Sequence, residues 1–478
     1  MNKYKKLAMN TVIFAIGSFG SKLLVLFLTR LYTANINPSD SSTKELLEIS
    51  ANFLIPIFTL SMADAIIRFG LDKNYNKKEV FTSACCLSGC GLVLMFIISP
   101  LLRMVSFLDY LQGYTIMLLV YICTSAFRSL CSQFVRSRGM VKLFSFDGIL
   151  TTLTLFIFNI IFISHLGMGV KGFMLSVILS DFCSALFLFT VAKLYKFLNI
   201  RYFNPALAKA MLAFAVPLIP TAVMWIITGF SDRIFIRYME PAREGVVLGE
   251  ASAGIYGYAT KIPNLISMVS TIFFQAWNMS AITENDSDDR SNFYEKVFSV
   301  YQSIMFIASG FLVAGVQLVT PLIVTSENFG EYATVYMYTP ILVTAVLMMC
   351  FNQFLSSIYT ATKHTKNSFW TSLIACVVNI VLNAVLIPNF GIQGASVATL
   401  ISYFVCYAIR IVDARRYVPF KVDFKLFVLN TAVLLALCFV VIAQPMYYPF
   451  YLVCGFLFIV VCNYRAVFEM AKKILRRK

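Results

Sequence analysis

The chain has 478 residues, 59% of them hydrophobic and only 13% charged, with mean hydropathy +0.79. Soluble domains average about 25% charged residues, so this composition excludes one. The net charge of +16 would suit a nucleic-acid ligand, but the basic residues sit in short clusters between apolar stretches, so no nucleic acid is expected.

The apolar stretches are each roughly 20 residues long, the length a helix needs to cross hydrocarbon. Helices satisfy their own backbone polar groups in lipid. The alternating ten-residue pattern of an outer-membrane barrel is missing. The fold class is therefore an all-α membrane protein. At the N-terminus "MNKYKK" leads into an apolar run from Thr11 to Leu28, long and without a small-x-small cleavage site, which reads as an uncleaved first span. Fourteen spans are predicted in all. Those before the midpoint cover 10–31, 47–69, 80–102, 110–134, 146–165, 172–194 and 207–231. Those after it cover 251–277, 297–324, 332–360, 367–388, 393–412, 424–443 and 447–467.

Connections are short, and no soluble domain is inserted. Lysines and arginines concentrate in the tails and alternate loops, for example Lys73, Lys77 and Lys78, or Arg410, Arg415 and Arg416, which places both termini in the cytoplasm. The closing "AKKILRRK" suits an anionic headgroup layer. The twelve cysteines lie almost entirely in apolar runs, without zinc-ligand spacing, and read as small apolar fillers.

An internal repeat is legible. "GVKGFMLSVILSDFCSALFLF" (Gly169–Phe189) aligns with "GIQGASVATLISYFVCYAIRI" (Gly391–Ile411) at an offset of 222. Upstream, "RSRGMVKLFSF" matches "TATKHTKNSFW" more loosely at 224. The repeat pairs span six with span twelve, so the copies share orientation, and transporters commonly bind substrate between two such halves. The expected division is an N-lobe over 1–200, a C-lobe over 201–415, and a final pair of helices with a basic tail over 416–478.

Ionisable groups inside spans mark pathways. Lys22 is central in the first span, and Arg30 lies eight residues further, about 80° around the helix. Arg68 closes the second span with Asp64 one turn earlier, an expected local ion pair. Arg128 lies in the fourth span. Lys261 is central in the eighth, beside helix-breaking Pro263. Asp181 is deep in the sixth span without a local cation and could take a proton or sodium ion. In "FAVPLIPTAVMWIITGFSDRIFI" (Phe214–Ile236) two prolines kink the seventh span, and Asp232 and Arg233 close it. Neighbours on a helix point about 100° apart, so these two suit partners on other helices, as in a salt bridge or outer gate between lobes. The set is mostly basic, which suits an anion, and guanidinium groups hold phosphate bidentately.

Five stretches together resemble a known family: "NTVIFAIGSFGSKLLVLFLTRLY", "ADAIIRFGLD", the Phe214–Ile236 segment, "AGIYGYATKIPNLISMVSTIFFQAW" and "NFGIQGASVATLISY". In order and spacing they are similar to bacterial polysaccharide transporters, the lipid-linked oligosaccharide flippases of the multidrug/oligosaccharidyl-lipid/polysaccharide superfamily. The resemblance spans essentially the whole chain. It implies two six-helix lobes around a cavity, working by alternating access in the bacterial plasma membrane. It implies an undecaprenyl-diphosphate-linked glycan as substrate, carried from the cytoplasmic to the outer leaflet. Cavity-lining basic positions of similar proteins fall on Lys22, Arg30, Arg68 and Lys261, and the family's "SDR" falls on Ser231, Asp232 and Arg233. The loop "YMEPAREGVVLGEASAG" after it is longer than the family's usual one.

The expected mechanism puts the diphosphate on cavity Arg and Lys, the glycan in water between the lobes, and the lipid tail in the bilayer. The membrane potential would favour outward anion movement by about 2.3 kcal/mol per charge per 100 mV. No enzyme activity, cofactor or metal is expected beyond sodium or proton coupling through Asp181 or Asp64. Partners are membrane lipids, the lipid-linked glycan and, as candidates, other polysaccharide-assembly membrane proteins. Rival readings are a peptidoglycan-precursor flippase and a multidrug antiporter of the same superfamily. A membrane glycosyltransferase is disfavoured because the acids of "TENDSDDRSNFYEK" sit in one loop, and His165 and His364 lie near loops on opposite sides.

Overall fold

The computed structural model describes residues 27–475 apart from 73, 101–109, 217, 241–248, 284–289, 329 and 363. It is all-helical, with no strand among the described residues. They divide into two compact units, 27–230 and 231–475.

The first unit opens with helical residues 27–35, then α1 (Pro38–Phe58) and α2 (Met62–Leu71). Next come α3 (Lys77–Ile98), α4 (Thr115–Ser137), α5 (Val141–Asn159, extended by a π-turn over Ile160–His165) and α6 (Gly169–Val191). It continues through α7 (Pro205–Ala215) into α8 (Leu218–Met239), within which the second unit begins. That unit adds α9 (Gly249–Ala259), α10 (Asn264–Thr283), α11 (Arg290–Ala314) and α12 (Val316–Ile323). It ends with α13 (Val335–Ala361), α14 (Thr365–Phe390), α15 (Ile392–Tyr417), α16 (Phe424–Ala443) and α17 (Tyr448–Leu475).

Ten of these segments are single helices long and apolar enough to cross a membrane, and α1 with α2 forms one further span bent by 53°. The protein is a multi-pass membrane protein. The bend follows Pro56, and Leu60 and Ser61 adopt left-handed backbone there. Two other expected spans are broken. The seventh is divided between α7, which ends at Ala215, and α8, which starts at Leu218, and the eighth splits into α9 and α10 at Thr260–Pro263. Most of the first expected span, with Lys22, lies outside the described residues. Helix starts follow capping chemistry: Asn37 and Asn204 accept hydrogen bonds from first-turn amides, each with proline next in sequence.

The repeat has a structural counterpart in the two units. In the first, α4 and α5 both pack on α6; in the second, α13 and α14 both pack on α15. Each copy opens at a left-handed glycine, Gly169 at φ +53° and Gly391 at φ +57°. Three residues on, Gly172 lies where a Cβ would stand 3.0 Å from the Phe162 carbonyl oxygen, and Gly394 where it would stand 2.5 Å from that of Leu386. The sequence offset of 222 thus carries the same tight helix-to-helix corner twice. Helices α16 and α17 are joined by a buried amide pair, with Asn463 Nδ2 donating to Asn430 Oδ1 at 2.9 Å and the reverse bond at 3.2 Å.

Candidate functional site

In the first unit, α4, α5 and α6 bring together one guanidinium and two carboxylates. Arg128 on α4 lies 3.4 Å from Asp181 Oδ1 on α6 and 3.9 Å from Asp147 Oδ2 on α5. Ser125 donates to Asp181, Ser184 donates to Asp147, and Arg128 Nε donates to Ser184 Oγ at 3.1 Å. Both carboxylates are buried. Arg128, expected on phosphate, is therefore engaged by carboxylates, and the cation that Asp181 lacked locally comes from another helix. With one arginine to two aspartates the cluster is acidic overall. Sequence reasoning missed Asp147, because hydropathy placed it at the edge of a span that starts several residues earlier.

In the second unit the centre is Asp232, which α8 carries well inside its length because the helix continues to Met239. Its carboxylate is 3% exposed and accepts four hydrogen bonds. Tyr256 of α9 donates to Oδ2 at 2.7 Å, and Thr399 of α15 to the same oxygen at 2.9 Å. Asn383 and Asn379 of α14 donate to Oδ1 at 2.7 and 3.1 Å. Ser231 donates to Asn379 Oδ1 at 2.9 Å. The expected partners on other helices are present, but all four are uncharged and belong to the same unit, so the hydrogen bonds of Asp232 do not make a bridge between lobes. The Arg233 guanidinium lies 5.8 Å from the centre of the Tyr256 ring.

A buried carboxylate held by neutral donors needs a proton or a counter-cation, since an isolated charge in low dielectric is costly. The chemistry of the surroundings suits either. Asn383 Oδ1 is buried and finds no hydrogen-bond donor among the described residues. Rotating an Asn amide exchanges its donor for its acceptor. Ser231, Asp232, Asn379, Asn383 and Thr399 then form an all-oxygen set of the kind hard cations prefer. Among the described residues no group of three His, Cys, Asp or Glu could hold a metal.

Other sequence-predicted residues are dispersed. Arg30 is exposed on the helix before α1. Arg68 does not pair with Asp64 as expected; it reaches Asp72 at 3.6 Å, one turn further along, and Asp64 is exposed. Lys261 lies in the break between α9 and α10, half-buried, where the chain turns through Lys261 N to Tyr258 O at 3.0 Å.

Two basic residues near the ends of expected spans are buried. Lys44 lies inside α1, 3.3 Å from Glu48 and 3.6 Å from Glu45, over the rings of Tyr32 and Phe173. Arg410, 1% exposed on α15, donates to Thr371 Oγ1, the Asn352 carbonyl and Ser372 Oγ, each at 2.9 Å. It cross-links three helices.

The helical fold is similar to that of solved membrane transporters. One similar solved structure is the inward-facing conformation of a multidrug resistance MATE family transporter of the MOP superfamily. Its TM-score is 0.67 at 15% identity, covering 88% of this chain and 98% of that one. An outward-facing conformation of such a transporter matches at 0.58 and 13%, covering 88% and 96%. A third, from Pyrococcus furiosus, is a MOP superfamily transporter described as having a binding pocket of reverse polarity that suggests a different function. It matches at 0.58 and 16%, covering 88% and 96%. No family model and no curated protein sequence matches the chain.

Proposed function

We propose that this protein is a flippase moving an undecaprenyl-diphosphate-linked oligosaccharide from the cytoplasmic to the outer leaflet by alternating access. The observation that carries this reading is Lys261, half-buried in the four-residue break between α9 and α10, a position at which a cation can meet an anionic headgroup. Lys22, Arg30 and Arg68 add to the same basic character in the first two spans. Arg128 is given a different part: with Asp147 and Asp181 it forms an ion-paired cluster inside its own unit. Asp232 and its oxygen-rich surroundings serve as the coupling site for a sodium ion or proton, in place of the Asp64 and Asp181 suggested by sequence. The bacterial plasma membrane, with both termini cytoplasmic, and the absence of enzyme chemistry complete the proposal.

A peptidoglycan-precursor flippase would use the same cationic path, and the two differ only in the glycan recognised. A second reading, multidrug antiport, is favoured by the buried acids at Asp147, Asp181 and Asp232, since organic cations are recognised by carboxylates and aromatics. Proteoliposomes containing the purified protein separate these readings. Translocation of a labelled lipid-diphosphate glycan that is lost in Lys261→Ala supports the proposal; uptake of cationic dyes without glycan translocation overturns it.

A further inference from the structure

Outside these centres, the outer face of α15 carries an unexplained groove. It has a volume of about 520 Å³ and is lined by Phe404, Val405, Ala408, Ile409, Val412, Asp413 and Arg416. That size is within the range of ligand pockets, roughly 300–1,000 Å³. The opposite face of α15, including Tyr403, Cys406, Tyr407 and Arg410, is buried within the unit, whereas Phe404 and Val412 remain exposed.

The two ends of the groove differ. Towards Phe404 it is apolar. At the other end Arg416 keeps 73% of its side chain exposed while lying 3.7 Å from Asp413 Oδ1. The other oxygen of Asp413 is occupied by Tyr359 Oη at 2.8 Å and Asn367 Nδ2 at 2.7 Å. Those bonds hold the start of α14 beside this end, bringing in exposed Lys366, next to Asn367, and exposed Trp370 one turn later. Basic side chains with an exposed tryptophan mark a headgroup layer, and basic pockets between membrane helices bind anionic headgroups.

The twelve helical steps from Phe404 to Arg416 span about 18 Å. One leaflet's hydrocarbon is about 15 Å, half of a 30 Å core. The groove therefore matches a chain anchored in a single leaflet, whereas a polyprenyl chain several times longer would overrun it.

We propose that this face binds one anionic glycerophospholipid, with an acyl chain along Phe404–Val412 and its phosphate held by Arg416 and Lys366. Arg416 has five N–H donors and spends few on Asp413, so it can grip a phosphate at the same time. The site is independent of the transported substrate.

The test is native mass spectrometry of the full-length protein exchanged into equal phosphatidylglycerol and phosphatidylcholine. The wild type is expected to retain phosphatidylglycerol preferentially, by about fivefold for each basic contact. Arg416→Glu should reduce that preference to none, and Ala408→Trp, which fills the groove, should lower retention of both lipids. Melting temperatures measured alongside identify any unfolded variant; if Arg416→Glu unfolds, Arg416→Gln replaces it and should reduce the preference by about fivefold. Equal retention of the two lipids, unchanged retention in folded variants, or displacement of phosphatidylglycerol by a polyprenyl phosphate would overturn the proposal.

Discussion

Asp232 and Arg128 show how differently two intramembrane charges can be handled. Asp232 is surrounded by hydroxyls and amides, which lower the cost of a charge without cancelling it, as the proposed exchange of a proton or cation requires. Arg128 is bound to fixed opposite charges. Asp232→Asn keeps shape and most hydrogen bonding. It is expected to leave folding intact while abolishing the response of transport to an imposed sodium or pH gradient in proteoliposomes; an undiminished response would remove the coupling role. Arg128→Ala leaves two buried carboxylates uncompensated and is expected to destabilise the protein by about 3 kcal/mol, read as a lowered melting temperature in detergent. Adding Asp181→Asn to that variant should recover part of the loss, because the pair is coupled. At this scale the sequence was only partly legible. A search for ionisable residues finds Asp232, Asp181 and Arg128, but Tyr256, Asn379, Asn383 and Thr399 are uncharged and come from three helices distant in the chain.

Helices and their corners were more readable. Apolar length locates spans because the bilayer fixes it, and Pro263 marks the break at Lys261 because proline removes a helical hydrogen bond. Hydropathy does not show that Lys44 and Arg410 are buried, since it carries no information on the acceptors that surround a cation. The repeated glycines lend themselves to a paired comparison. Gly394→Ala places a methyl 2.5 Å from the Leu386 carbonyl, against 3.0 Å from Phe162 for Gly172→Ala. Both are expected to lower thermal stability, the former more, by about 1–3 kcal/mol as is usual for overpacking. Equal melting temperatures for both variants and the wild type would show that these corners relax freely.

Across the whole molecule, the repeat of Gly169–Phe189 at Gly391–Ile411 was the strongest sequence signal, and it reappears as two units built on the same three-helix packing. Substrate identity is less legible, because related folds move chemically different cargo and the decisive property is the sign of charge along the path. The proposed path is basic at Lys261, within a chain of net charge +16. The most direct measurement is therefore headgroup translocation in proteoliposomes, using a fluorescent undecaprenyl-diphosphate glycan and an outside quencher, for the wild type and Lys261→Ala side by side. Rapid translocation by the wild type and a loss of at least about tenfold in the variant are expected, since a charge-assisted contact to phosphate contributes about 1.5–3 kcal/mol. Equal translocation by both proteins, or none by either while cationic dyes are moved, would contradict a cationic route for a lipid-linked diphosphate.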